Sequence, residues 1–191
     1  MVMPQPFTTA SQALVNYDAT DVSNGTGYED YYLIESAVTG TTNYHLTPNQ
    51  DLSNSVTINV SAGSSDQDFD LTPFVIPKTI NGDVRISIPI FTDSGDSVTT
   101  AYLYRWDGSA ETQIGSSVTM TKVGNPTTML YMIMPIENEL IPAGETLRLR
   151  LVMAYAGGGT GRWGIDPAGR SHASLTITTT SKLSVPYKLD L

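Results

Sequence analysis

Apolar and polar positions alternate along most of this chain. Between Thr146 and Tyr155, Leu147, Leu149, Leu151, Met153 and Tyr155 share one parity, and Arg148 and Arg150 take the other. A two-residue period sends one row of side chains inward and the next outward, as in a strand with one buried face. Val84, Ile86, Ile88 and Ile90 repeat the pattern, as do Leu183, Val185, Tyr187, Leu189 and Leu191. Further strands are predicted over 28–36, 56–60, 68–76, 98–106, 112–121 and 175–179. Met129 to Ile136 is continuously apolar, which predicts a strand buried on both faces. Pro89 lies within the strand predicted over 83–91 and marks it as an edge or a bulge, because proline has no amide to donate to a central ladder.

Turn chemistry separates these segments: Asn81-Gly82, Asp93-Ser94-Gly95-Asp96, Asp107-Gly108 and Gly124-Asn125-Pro126. Residues 37–55 read as a long polar connection, and Gly157 to Gly164 as an exposed glycine-rich loop. No stretch carries the period of an amphipathic helix. The pattern predicts an all-β chain, a single antiparallel β-sandwich or jelly roll over 28–191, preceded by an extended N-terminal arm over 1–27. Pro4 and Pro6 keep the arm out of regular pairing. Phe7, Leu14, Val15 and Tyr17 make it too apolar for a purely solvated tail, so they are expected to bind a neighbouring subunit or another partner.

Composition narrows the function classes. The formal net charge of the 191 residues is −9, with no basic stripe, which argues against nucleic acid as a partner. No apolar run approaches the ~20 residues of a membrane span. The first residues, MVMPQPFTTA, have neither the basic nor the apolar region of a secretory signal. With no cysteine, a disulfide framework and thiolate metal sites are excluded.

Candidate chemistry is sparse. GTGRWG at 159–164 matches a dinucleotide-binding fingerprint by letter, but Asp166-Pro167 follows where that motif needs a helix. Asp66, Asp68 and Asp70 alternate as calcium ligands do, yet the calcium-loop positions for Gly and Glu hold Leu71 and Pro77. A solvated acidic strand face explains the three carboxylates without a metal. His45 and His172 stand in no ligand or nucleophile signature. No catalytic residue, cofactor or metal is therefore expected. Arg162 and Trp163 are expected to face a partner from the glycine loop; the alternative, in which Trp163 folds into the core and the glycines permit a tight path, stays open. Trp106, Trp163 and the tyrosines also keep a sugar-stacking surface in view.

Four segments together carry a resemblance. They are Tyr17-Asp18-Ala19-Thr20-Asp21-Val22 followed by Gly25-Thr26-Gly27, then Arg105-Trp106-Asp107-Gly108-Ser109-Ala110-Glu111-Thr112-Gln113-Ile114-Gly115, then Ile141-Pro142-Ala143-Gly144-Glu145-Thr146-Leu147-Arg148-Leu149, and Asp166-Pro167 with the closing Val185-Pro186-Tyr187-Lys188-Leu189-Asp190-Leu191. In this order they resemble small β-sandwich virion proteins of tailed bacteriophages, of the capsid decoration (cement) type. The resemblance implies a non-enzymatic structural protein, made in the host cytoplasm, that sits on the capsid exterior. It implies the major capsid protein as partner and self-association as a homotrimer. A carbohydrate-binding β-sandwich of a phage fibre or host-surface adhesion module is the alternative.

Overall fold

A computed structural model describes residues 26–38, 41–49, 56–124, 127–165 and 180–188. Over these residues the chain is all-β, as its alternation predicts. The strands are β1 (Thr26–Val38), β2 (Thr41–Thr47), β3 (Val56–Asp70), β4 (Lys78–Thr92), β5 (Ser97–Trp106), β6 (Glu111–Lys122), β7 (Thr128–Ile141), β8 (Thr146–Ile165) and β9 (Lys182–Lys188). Their order across the sheet is β6-β5-β8-β3-β2-β1-β9-β4-β7, and β8 also pairs with β4. That extra pairing closes β8, β3, β2, β1, β9 and β4 into a ring of six strands. Strands β5 and β6 extend outward from β8, and β7 extends from β4.

Closure depends on the length of β8. Its first half, up to Tyr155, pairs with β5 and with the second half of β3. Its last residues, Gly161 to Trp163, reach β4. One seam departs from the antiparallel expectation: β2 and β3 run parallel, joined at His45 and Asp70.

The rows of shared parity form the core. Val84, Ile86, Ile88 and Ile90 of β4 are fully buried, as are Leu147, Leu149, Leu151 and Met153 of β8. Leu130, Met132, Met134 and Ile136 of β7 and Leu183, Val185 and Tyr187 of β9 join them, with Leu33, Phe69 and Leu103 from the remaining strands. Side chains of this size each contribute roughly 1.5–3 kcal/mol when buried, so the parity of the strands decides which face turns inward.

Several expectations are corrected. The segment 37–55 contains β2, which forms a hairpin with β1 from Tyr32↔Thr47 to Val38↔Thr41. The strands expected over 56–60 and 68–76 are joined as β3, which ends at Asp70. Asn81-Gly82 is a bulge inside β4: Gly82 has a φ of 127° and the registers with both β7 and β9 shift there. Strand β4 is interior, and Pro89 falls between the end of its β9 pairing at Ser87 and the start of its β8 pairing at Ile90. The missing amide is tolerated where β4 changes neighbours. Strand β7 is an edge strand with one buried face, because Tyr131 and Ile133 are half exposed. The strand expected over 175–179 and residues 1–25 of the arm expected over 1–27 lie outside the described residues, while Thr26 and Gly27 belong to β1.

The glycine loop is corrected too. Residues 157–164 continue β8, with four residues, Ala156 to Gly159, lying opposite the single Ala62 of β3. This wide bulge presses against the β4–β5 turn. A Cβ on Gly157 would stand 1.9 Å from the Ser94 carbonyl oxygen, and one on Gly159 would stand 2.7 Å from Asp93 Cβ. The glycines let two backbones touch.

Candidate functional site

Among the described residues, the outer face of β3, β8 and β5 carries the largest network of linked ion pairs. Register aligns Asp68 with Arg150 and Asp70 with Arg148 across β3 and β8. It aligns Arg150 with Tyr102 and Arg148 with Tyr104 across β8 and β5. All these positions are half-buried. Each arginine holds one aspartate through two bonds: Arg148 Nε and Nη2 donate to Asp70 at 2.6 and 2.8 Å, and Arg150 Nε and Nη2 donate to Asp68 at 2.6 and 2.8 Å. Glu111, at the start of β6, accepts from both guanidiniums, including Arg150 Nη1 at 3.0 Å and Arg148 Nη1. The planar fork of arginine matches a carboxylate bidentately, which makes these stronger than ordinary surface pairs. The hydrogen bond to Asp70 does most to raise the pKa of Arg148, and that to Asp68 does most for Arg150.

Aromatic rings interleave with this ladder. The Arg148 guanidinium carbon lies 4.4 Å from the Trp106 ring centre, and that of Arg150 lies 5.0 Å from Tyr104. Tyr102 and Tyr104 stack at 6.1 Å with 17° between planes. The arginines thus occupy ring faces that an open sugar platform would present. Asp66 is the least engaged carboxylate: its side chain is 69% exposed and stands 4.0 Å from Arg150. Four carboxylates, Asp66, Asp68, Asp70 and Glu111, face two guanidiniums, leaving an excess of two negative charges. The three aspartates are therefore the acidic side of an ion-pair ladder. Among the described residues, no group of three or more acidic or histidine side chains is arranged to hold a metal.

Beyond the ladder the same face carries small residues. Gly63, Val98, Ala154 and Ala156 line a shallow open depression, with Tyr155 below and Asp96 on its rim. Here the β4–β5 turn joins three elements. Tyr155 Oη donates to the Ser94 carbonyl at 2.7 Å and Ser94 Oγ donates to the Gly158 carbonyl at 2.5 Å. Asp93 accepts from the Thr160 amide at 2.8 Å and from Arg162 Nη1 at 3.0 Å. The Thr160 amide, and then Arg162, hold the Asp93 carboxyl below its usual pKa. Lys122 is buried below the turn, donating to Thr92 Oγ1 at 2.9 Å and to the Gly124 carbonyl; burial lowers its pKa.

The structure separates the residues expected to face a partner. Trp163 is fully buried and its Nε1 donates to Thr99 Oγ1 at 3.4 Å, so it packs the core and presents nothing outward. Arg162 is half-buried, paired with Asp93, and lies 5.1 Å over the Phe91 ring. Phe7, Leu14, Val15 and Tyr17 lie outside the described residues, as does His172. His45 sits half-buried in β2, at the parallel seam.

Sequence reasoning did not find two surfaces. The first is the ladder: the alternating Asp66, Asp68, Asp70 and the alternating Arg148, Arg150 were legible separately, but their pairing needs the β3–β8 register. The second is the outer row of β7. Tyr131 is 50% and Ile133 48% exposed, and Pro135 beside them also faces out. Thr128 to Ile136 contains no Asp, Glu, Lys or Arg, in a chain of net charge −9.

No family model and no curated protein matches the sequence. Solved structures are similar in fold. A CocE/NonD family hydrolase from Staphylococcus aureus superposes with a TM-score of 0.63 at 12% identity, over 86% of this chain and 37% of the hydrolase. An aminopeptidase from the marine sediment archaeon Thaumarchaeota archaeon superposes with a TM-score of 0.57 at 7% identity, over 83% of this chain and 36% of the enzyme. The chain thus spans little more than a third of either. A structure of infectious bursal disease virus Gt strain matches over 81% of this chain at 14% identity, with a TM-score of only 0.29. The expectation that the chain is not an enzyme is corrected by these matches: its all-β fold is one that hydrolases also contain. At such identity the likeness is one of fold, and it transfers no activity.

Proposed function

We propose that the chain is a virion assembly protein that binds the exterior of a capsid shell, decorating and stabilising it. The observation that carries this reading is the outer row of β7. Tyr131 and Ile133 stand half exposed on an edge strand, in a stretch without charge. An aromatic and a β-branched residue on a rigid strand lose little conformational freedom when covered, and are suited to a protein contact. Many copies on one shell would add weak contacts into firm attachment. Self-association as a trimer and the two-layer jelly-roll description of the fold belong to the same reading. The layers are supported by the approach of β6 to β7, where a Cβ on Gly115 would lie 3.2 Å from Ile136.

The test is co-sedimentation with purified shells. Ile133→Asp combined with Tyr131→Ser should weaken binding at least tenfold and leave the melting temperature within ~2 °C. Wild-type binding by the double variant would refute this reading.

A second reading is a carbohydrate-binding surface on β5 that would use the faces of Tyr102, Tyr104 and Trp106 left uncovered by Arg148 and Arg150, beside an excess of carboxylates. A glycan array decides it. Saturable binding abolished by Trp106→Ala supports it, and an array with no signal removes it.

A further inference from the structure

The connection between β3 and β4 exposes two aliphatic side chains more fully than any strand does: Val75 is 92% and Ile76 60% exposed. They are held rigidly. The Phe74 amide donates to the Glu145 carbonyl at 2.9 Å, and the Gly144 amide donates to the Phe74 carbonyl at 2.8 Å. The Phe74 ring packs edge-on against Tyr187 at 6.0 Å. Pro73 and Pro77 bracket the pair and fix their own φ angles. Leu140, 50% exposed, lies at the same end of the sheet, beside the Lys78–Ile141 pair. An apolar knob ordered in advance gains from being covered without a further entropy cost of its own.

We infer that this knob is the seat of the chain's own N-terminal segment, residues 1–25, folded back over Val75, Ile76 and Leu140. Where that segment enters the fold is the first argument. It joins β1 at Thr26, paired with Lys188, and the next residue, Gly27, pairs with Tyr187. The Tyr187 ring carries Phe74 on its edge and the Lys78 ammonium 5.1 Å from its centre. The segment therefore enters beside the floor of the knob. Reach is the second argument. Tyr17 precedes Thr26 by nine residues, a tether spanning up to about 30 Å when extended, and Leu14 and Val15 lie just beyond. A tether of that length holds the segment at a high effective concentration against its own subunit. Charge is the third. Residues 1–25 contain Asp18 and Asp21 and no Lys or Arg. Lys188 pairs with Thr26 at the entry, and Lys78, held by Glu29 at 2.9 Å, stands beside it over the Tyr187 ring. This seat is within one subunit, in place of the neighbouring subunit that the sequence alone suggests.

The absence of cysteine makes the test direct. A nitroxide on Val75→Cys in the full-length chain should broaden the NMR signals of Leu14, Val15 and Tyr17 at least twofold more than those of β6. A mixture of isotope-labelled protein without the nitroxide and unlabelled protein carrying it should show no such broadening. In parallel, the full-length Val75→Asp/Ile76→Asp variant should raise amide exchange across residues 10–20 at least fivefold, with exchange in β8 unchanged. No broadening in either sample, or unchanged exchange in the variant, overturns the inference. Broadening confined to the mixture overturns it in favour of a second copy as occupant.

Discussion

Trp163 is the sharpest test of how β8 is built. If residues 157–164 formed an exposed loop, Trp163→Ala would spare stability and damage binding. The structure requires the opposite. The side chain is fully buried among the strands of the ring, where β8 pairs with both β3 and β4, and its Nε1 donates to Thr99 Oγ1 at 3.4 Å. Replacing a buried tryptophan by alanine costs about 3–5 kcal/mol, from lost transfer energy and the cavity left behind. The orphaned Thr99 hydroxyl lies within that range, since its bond is long. For a chain of this size each kcal/mol moves the melting temperature about 2–4 °C. Thermal unfolding followed by circular dichroism should therefore show a fall of roughly 6–20 °C for Trp163→Ala. Trp163→Phe keeps a ring in the cavity and should lose less than half as much. A Trp163→Ala protein melting within ~2 °C of wild type would refute the buried placement and the continuity of β8 with it.

Gly157→Ala should lower stability by about 1–3 kcal/mol in chemical denaturation, because the new methyl meets the Ser94 carbonyl at 1.9 Å and Tyr155 Oη at 2.5 Å; an unchanged midpoint argues against the clamp. Arg150→Met leaves Asp68 and Glu111 without this partner and should cost about 1–2 kcal/mol at low salt. The penalty should shrink in 1 M salt, where screening acts within about 3 Å; a penalty independent of salt would point to lost packing of the side chain instead. Asp93 has a folded-state pKa below its ordinary value, chiefly through the Thr160 amide. Its contribution is present above the unfolded pKa of about 3.9 and is lost as pH falls through the folded value. Melting temperatures measured from pH 6 to pH 2 should fall less steeply below pH 4 in Asp93→Asn than in wild type, and identical acid limbs would exclude this role.

The alternation in the sequence determined the all-β class, the inward rows of β4, β8 and β9, and several turns, because side-chain parity is a local property of extended backbone. It did not determine β2, whose residues are polar on a hairpin partner of β1, nor the exposed face of β7. Met129 to Ile136 is apolar on both parities, and only its place at the end of the sheet leaves Tyr131 and Ile133 uncovered. Glycine and asparagine signalled conformational freedom without saying how it would be used. Asn81-Gly82 became a bulge where three strands shift register, and Gly157 to Gly159 became a close passage against the β4–β5 turn. The ion-pair ladder shows the same division. Asp68 and Arg150 lie 82 positions apart, and each row was legible as a strand face. Their pairing follows from the register of β3 on β8, which long-range hydrogen bonding sets and no local pattern encodes.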